Sequence, residues 1–147
     1  MGYWKRVALV GALVFSGHAV WAAEEAGIVK ISKGSVTIER SGQKTDAPVG
    51  TRIFASDRVV TGSDGSVGIT LHDNTVLSAG PNSTVDLNKF AFNTTTHAGA
   101  IDATVKRGTL SVISGKIAKA TPEAVSFSAP GMTLGVRGTS FVIDAGL

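Results

Sequence analysis

Apolar and polar residues alternate through the middle of the chain, and this alternation predicts antiparallel strands. In residues 66–72, valine, isoleucine and leucine alternate with small or polar residues. A period of two is typical of a half-buried β-strand. Asp73-Asn74 follows, a pair that tolerates the positive φ of a tight turn, and residues 75–79 then have the pattern of a returning strand. The centre of the chain is therefore predicted to be an antiparallel meander.

Similar extended runs, separated by glycine, proline, asparagine or serine, recur about every 8 to 12 residues along the rest of the chain. This spacing predicts an all-β fold, an antiparallel jelly-roll-like β-sandwich. The alternation slips phase after Leu87, because Phe90 and Phe92 fall on the opposite side from Leu87. A β-bulge or a strand that crosses between two sheets would absorb the slip.

No connection between the predicted strands is long enough to hold a crossover helix, which excludes parallel β-α-β folds. Residues 116–118 are predicted to be extended as well. A β-solenoid is the structural alternative, but the runs do not share the single fixed period that solenoids show.

The first 22 residues have the layout of a secretory signal peptide. Lys5 and Arg6 precede the apolar run 7–15, and small residues follow at positions 20–22. A retained membrane anchor is the alternative, although the run is shorter than the roughly 20 residues that span a bilayer. We therefore expect a signal peptide at 1–22 and a β domain at 23–147.

Charge and cysteine content narrow the class of protein. Two of the 14 basic residues belong to the predicted signal, so the remainder nearly balances the 11 acidic residues. Nucleic-acid binding is not expected, because it calls for a basic patch. An exported domain without cysteine folds without disulfides. These features favour a bacterial periplasmic or secreted protein.

Candidate catalytic and metal-binding residues are few. After the predicted signal the only histidines are His72 and His97, and the chain contains neither cysteine nor a G-x-S-x-G motif. Asp57, Asp64 and Asp73 cluster in sequence, but their spacing does not match a calcium-binding loop. We expect no enzymatic activity, no cofactor and no metal.

The predicted mature chain has no Trp or Tyr, and its five phenylalanines are expected in the core. This argues against a carbohydrate-binding surface and against an aromatic hot spot. A protein partner would then dock on backbone edges or polar loops. Two alternatives stay open. One is a glycan- or cell-wall-binding module that uses residues 93–99, and the other is a hydrolase whose carboxylates, Asp57, Asp73 and Asp102, would pair across strands.

An ordered series of short motifs runs from residue 34 to residue 143. The motifs are Gly34-x-Val36, Val49-Gly50, Asp57-Arg58-Val59-Val60-Thr61-Gly62, Leu71-x-Asp73, Pro81-Asn82-Ser83, Gly108-x-Leu110 and Gly135-Val136-Arg137-Gly138-Thr139-x-Phe141-x-Ile143. The series resembles the FecR domain, the periplasmic module of ferric-citrate-type sigma-factor regulators.

The resemblance implies a jelly-roll-like β-sandwich without enzymatic activity. In the best-known members, the domain receives a signal from an outer-membrane transporter. A membrane helix then passes the signal to a cytoplasmic part that controls a sigma factor. Here no cytoplasmic segment precedes the hydrophobic stretch. We therefore expect a standalone exported module with a protein partner in the periplasm or envelope, linked to envelope or iron-transport signalling.

The motif residues singled out as candidate positions are expected to be mostly structural. They are Asp57, Thr61, Gly62, Asp73, Arg137, Gly138 and Thr139. The glycines would lie where strands turn or approach closely. Asp57 and Arg58 would pair or cap backbone groups. Arg137 would extend along the apolar surface of its strand, with partner recognition as the alternative.

Overall fold

A computed structural model of the chain describes residues 24–136 and 140–146. This part of the chain is almost entirely strand. The strands are β1 (Glu25–Lys33), β2 (Val36–Arg40), β3 (Gln43–Asp46), β4 (Arg52–Phe54), β5 (Arg58–Thr61), β6 (Ser66–Leu71), β7 (Val76–Ala79), β8 (Thr84–Phe92), β9 (Gly99–Ile113), β10 (Val125–Ala129), β11 (Met132–Gly135) and β12 (Ser140–Gly146). A short helix, α1 (Lys116–Ala120), and a 3-10 turn, Pro122–Ala124, lie between β9 and β10.

The described strands form one curled sheet whose two halves share β9. The first half, called the seven-stranded sheet, has the order β3-β2-β5-β8-β9-β10-β11. The second half, called the six-stranded sheet, has the order β4-β1-β6-β7-β9-β12. The N-terminal part of β9 pairs in the first half and its C-terminal part in the second, so this strand joins the two.

Gly108 lies at the point where β9 passes from one half to the other. Its φ of +78° belongs to the left-handed region, which glycine adopts at little cost. A Cβ at this position would lie 2.2 Å from the Ser83 hydroxyl oxygen. Glycine therefore allows both the change of direction and the close approach of the turn that precedes β8.

The alternating apolar residues of both halves point into one hydrophobic core. Its largest fully buried side chains include Ile53, Leu71, Leu110 and Phe127. A cavity of about 20 Å³ between the halves is lined only by aliphatic side chains and is too small for a ligand. The core thus serves stability, and the outer faces and edges are left for interactions.

The all-β, mostly antiparallel fold predicted from the alternation is confirmed. The central meander is present as β6 and β7, and Asn74 has a positive φ in the turn between them. The phase slip after Leu87 corresponds to a bulge, because the pairing of β8 with β9 shifts register between Leu87 and Lys89.

Three details of the prediction are wrong. The expectation that no connection holds a crossover helix fails, because a helix lies between β9 and β10, which are parallel with Val125 opposite Ile101. Residues 116–118 are helical rather than extended, because α1 and the 3-10 turn form a compact crossover between these strands. The third detail is β3, which the prediction did not include. Its residues are all exposed and lack apolar alternation, so a strand there left no periodic signal.

The predicted signal peptide, residues 1–22, lies outside the described residues. Strand pairing begins with Glu25, close to the predicted start of the β domain. Within the residues that the structure describes, we find no helix with the length and apolar character needed to cross a membrane.

Candidate functional site

Asp57 is a buried carboxylate that connects the end of β2 to the turn before β5. It accepts hydrogen bonds from Arg40 Nε at 2.8 Å, from Arg40 Nη2 at 2.7 Å and from the Phe54 backbone N–H at 2.8 Å. The hydrogen bond with Asp57 is the main cause that raises the pKa of Arg40; burial opposes it and the charge of Asp57 adds to it. Asp57 thus caps a backbone group as expected, but its ionic partner is Arg40 and not Arg58.

Asp73 is fully buried and holds the β6–β7 turn against the start of α1. Its Oδ1 accepts the Thr75 N–H at 3.0 Å, and its Oδ2 accepts the Thr75 hydroxyl at 2.7 Å and the Ile117 N–H at 3.2 Å. The Asp73 carbonyl accepts the Lys116 N–H at 2.8 Å. Gly115 lets these segments approach, because a Cβ there would lie 2.3 Å from that carbonyl oxygen.

Thr61 and Gly62 belong to a second junction, between the end of β5 and the turn before β8. The Thr61 hydroxyl donates to the Gly80 carbonyl at 2.6 Å and accepts the Ser83 N–H at 2.9 Å. Gly62 donates its N–H to the Ser35 carbonyl at 2.9 Å. Ser83, also fully buried, accepts the N–H of Thr109 at 3.0 Å and so reaches β9.

The motif positions described so far therefore lie at buried turn junctions, where they join strands. Arg137, Gly138 and Thr139, the other candidate positions, lie outside the described residues. The side chains of Asp57, Thr61 and Asp73 are buried and form no open site, so a functional surface is expected elsewhere on the fold.

The remaining candidate catalytic and metal-binding residues do not lie together in one site either. Among the described residues, no group of three or more His, Asp or Glu side chains could hold a metal ion. His72 is exposed, 3.5 Å from Glu25, and His97 stacks on Phe92 with ring centroids 6.1 Å apart. Asp102 lies on an outer face, 3.4 Å from the amide nitrogen of Asn88.

In the 93–99 loop, a candidate glycan site, several polar groups form hydrogen bonds within the loop. Asn93 Oδ1 accepts the N–H groups of Thr95 at 2.9 Å and of Thr96 at 3.0 Å. The backbone of Asn93 also bonds to Ala98 and His97. These contacts fold the loop on itself and occupy part of its polar groups.

The outer face of the seven-stranded sheet carries a ladder of alternating charges, called the charged face here. Its members, from β3 to β9, are Lys44, Glu39, Arg58, Asp86 and Lys106, with nitrogen–oxygen distances between neighbours of 3.4, 3.8, 2.7 and 3.6 Å. The hydrogen bond to Asp86 is the main cause that raises the pKa of Arg58. An open cleft of about 340 Å³ lies over Glu39, Arg58 and Asp86. Because each charge has an opposite neighbour, the ladder is largely self-neutralised.

The outer face of the six-stranded sheet has the opposite character. Two cross-strand rows between β1 and β12 define this uncharged face: Ile31, Gly68, Ser78, Ser111 and Val142 in one row, and Ile28, Thr70, Val76, Ile113 and Ser140 in the other. Three of its aliphatic side chains are strongly exposed, Ile31 at 52%, Ile113 at 50% and Val142 at 69%. From β1 to β12 both rows lack a charged residue, and the charges lie at their margins: Arg52 follows Ile28 on the edge strand β4, and Lys30, Lys33 and Asp144 flank the rows.

The uncharged face was missed by the sequence reasoning, although the sequence contains a signal for it. An alternating strand should place polar residues on its outer side, yet Phe141-Val142-Ile143 is an unbroken apolar run. Ile31 and Ile113 likewise occupy outward positions, whereas Val29 and Val112 face the core. Apolar residues on both sides of a strand indicate either a second buried face or an exposed binding surface.

Comparison with known proteins gives one family. The model described as "FecR protein" matches residues 57–146, which is more than half of the chain. The same sheets also include β1–β4, which lie before the matched region. No curated protein and no solved structure matches the chain.

Proposed function

Because the chain belongs to the FecR protein family, we propose that it is a non-enzymatic module that binds a protein partner in the bacterial periplasm or envelope and takes part in signalling there. The family supports a role in signalling. The proposed location depends on the predicted signal peptide, and a link to iron transport would depend on which partner is bound.

The contrast between the two outer faces is the observation that supports this proposal best. Covering the charged face would require the removal of water from paired charges such as Arg58 and Asp86, which gains little or costs free energy. Covering the uncharged face removes exposed aliphatic side chains from water, and its serine and threonine hydroxyls are cheaper to desolvate than charges. A cluster of exposed aliphatic residues is a recognised mark of an interaction site.

Site-specific crosslinking in the native bacterium tests the proposal. A photoreactive amino acid would replace Ile31 or Ile113 on the uncharged face, and Thr104 or Ser126 on the charged side as matched controls. We expect the first pair to give a defined crosslinked protein in the periplasmic or envelope fraction and the control pair to give none.

Two results would count against the proposal. One is recovery of the chain in the cytoplasmic fraction. The other is crosslinking that is absent, or equal at all four positions, because a partner that covers the uncharged face must favour Ile31 and Ile113.

A further inference from the structure

Four strands lie at the edges of the two halves, and β12 differs from the other three. β3 and β4 are four and three residues long and carry Lys44 and Arg52, and β11 has four residues. β12 has seven residues, contains neither lysine, arginine nor proline, and is regular except for a shift in register between Asp144 and Gly146 at its end. Short length and edge cations are the usual protection against added strands, so β12 is the least protected of the four edges.

The open side of β12 offers unpaired backbone groups. Among the described residues, β12 pairs only with β9, from Ser140 opposite Ile113 to Gly146 opposite Gly108. In an antiparallel strand, alternate residues direct both their N–H and their C=O away from the existing neighbour. The second edge of β12 therefore presents donors and acceptors that an extended chain can satisfy.

The side chains of β12 define what such a chain would meet. Phe141 and Ile143 face the core, and Phe141 packs edge-to-face on Phe127 with ring centroids 5.4 Å apart while remaining partly exposed. Val142 and Asp144 face outward. The Asp144 Oδ1 accepts the Gly146 backbone N–H at 2.9 Å, but among the described residues no lysine, arginine or histidine nitrogen lies within 4.0 Å of this carboxylate.

We propose that β12 binds an extended polypeptide segment, which adds to its free edge as a further strand and carries a lysine or arginine opposite Asp144. The segment has apolar residues on the side that covers Phe141, and it continues the uncharged face beyond Val142. This inference rests on the proposed function and specifies how the partner binds.

The charge of β12 favours another protein over a second copy of this chain. In a two-fold pair, β12 would meet β12, and its only charged residue is Asp144. Each Asp144 would then lie opposite a small or apolar residue or opposite the other Asp144. Like charges opposite each other are destabilising, whereas a basic residue in a partner strand would be favourable.

Selection from a library of random eight-residue peptides on the purified chain tests this proposal. We expect enrichment of peptides that alternate apolar with polar residues and contain a lysine or arginine. Hydrogen exchange should show that bound peptides protect backbone amides of β12. A selected peptide methylated on alternate amides, which removes donors but keeps the side chains, should lose binding.

Three variants locate the binding site. Val142→Lys places a cation on the edge and should weaken a selected basic peptide at least about fivefold. Ile31→Lys makes the same change on the same face but away from the edge, and affinity should stay within about twofold. Selection on Asp144→Lys should enrich acidic peptides in place of basic ones.

The proposal fails if no peptides are enriched, if enriched peptides leave β12 exchange unchanged, or if the methylated peptide binds equally well. It also fails if sedimentation shows a dimer of the unmodified chain that Val142→Lys converts to a monomer. If Ile31→Lys weakens peptide binding as much as Val142→Lys does, the uncharged face is the docking site, and only strand addition to β12 is rejected. Crosslinking that fails in the bacterium would reject the proposed function itself.

Discussion

Asp57 and Asp73 show how the family motif acts at the scale of the residue. Both carboxylates are buried, and each accepts three hydrogen bonds from groups far apart in sequence or across a tight turn. Leaving a buried donor or acceptor without its hydrogen-bond partner lowers the free energy of unfolding by about 1–3 kcal/mol per group. These aspartates therefore hold turns in place, which explains why they recur at strand ends in this sequence.

Replacing Arg40 tests the ion pair at Asp57. Arg40→Met removes two donors and leaves the Asp57 carboxylate buried without its cation, so the free energy of unfolding should fall by about 1–3 kcal/mol. Arg58→Met is the matched control, because Arg58 and Asp86 form an equally short pair whose carboxylate is less buried than Asp57, and its effect should stay within about 1 kcal/mol. Urea denaturation followed by circular dichroism measures both, and equal losses would show that burial of Asp57 is unimportant.

At the scale of the element, β9 determines the architecture. Its first part pairs with β8 and β10, and its last part pairs with β7 and β12. One strand thus contributes to both halves, and Gly108 provides the change of direction between them.

The backbone cost and the packing cost of replacing Gly108 can be measured separately, because Gly42 has nearly the same backbone conformation. Gly42 has φ +77° with open space around it, whereas Gly108 has φ +78° and the Ser83 hydroxyl at contact. Gly42→Ala should cost about 1–2 kcal/mol from the left-handed backbone alone. Gly108→Ala should cost a further 1–3 kcal/mol, roughly, from overpacking. If urea denaturation shows similar losses of unfolding free energy in the two variants, the turn before β8 moves away from the added Cβ at little cost.

The prediction of elements succeeded where burial on one side left an alternating pattern, as in β6 and β7. It failed at β3, which is entirely exposed, and at the crossover through Ile117, where a single buried residue in a five-residue helix leaves no period. The candidate site was harder to predict, because the motif residues Thr61 and Asp73 mark junctions. The apolar run at Val142 marks an exposed apolar strand in the sequence, but only the strand order places Val142 in one row with Ile31.

At the scale of the whole molecule, two outer faces of different character enclose one core. The charged face carries paired charges, and the uncharged face carries exposed aliphatic residues, so the fold presents different surfaces on its two sides. All described strands begin at or after Glu25, and each pairs with another described strand.

This organisation predicts that residues 23–147 fold without the segment that precedes them. The shortened chain should give a β-type circular dichroism spectrum and unfold in one cooperative transition, because it retains every core side chain of the described residues, from Ala26 onward. Differential scanning calorimetry measures the transition. A shortened chain that is unfolded, or that unfolds in two separate steps, would contradict the prediction.

The position of β9 late in the chain has a consequence for synthesis. Until residues 99–113 have left the ribosome, β7 and β8 each lack one of their neighbours, and their valine and leucine side chains stay uncovered. The unpaired strand edges of such a nascent chain favour aggregation, so the chain depends on chaperones or on rapid completion of its synthesis. A premature stop codon before residue 99 should accordingly yield a product that is degraded or precipitates, and not a half-folded domain.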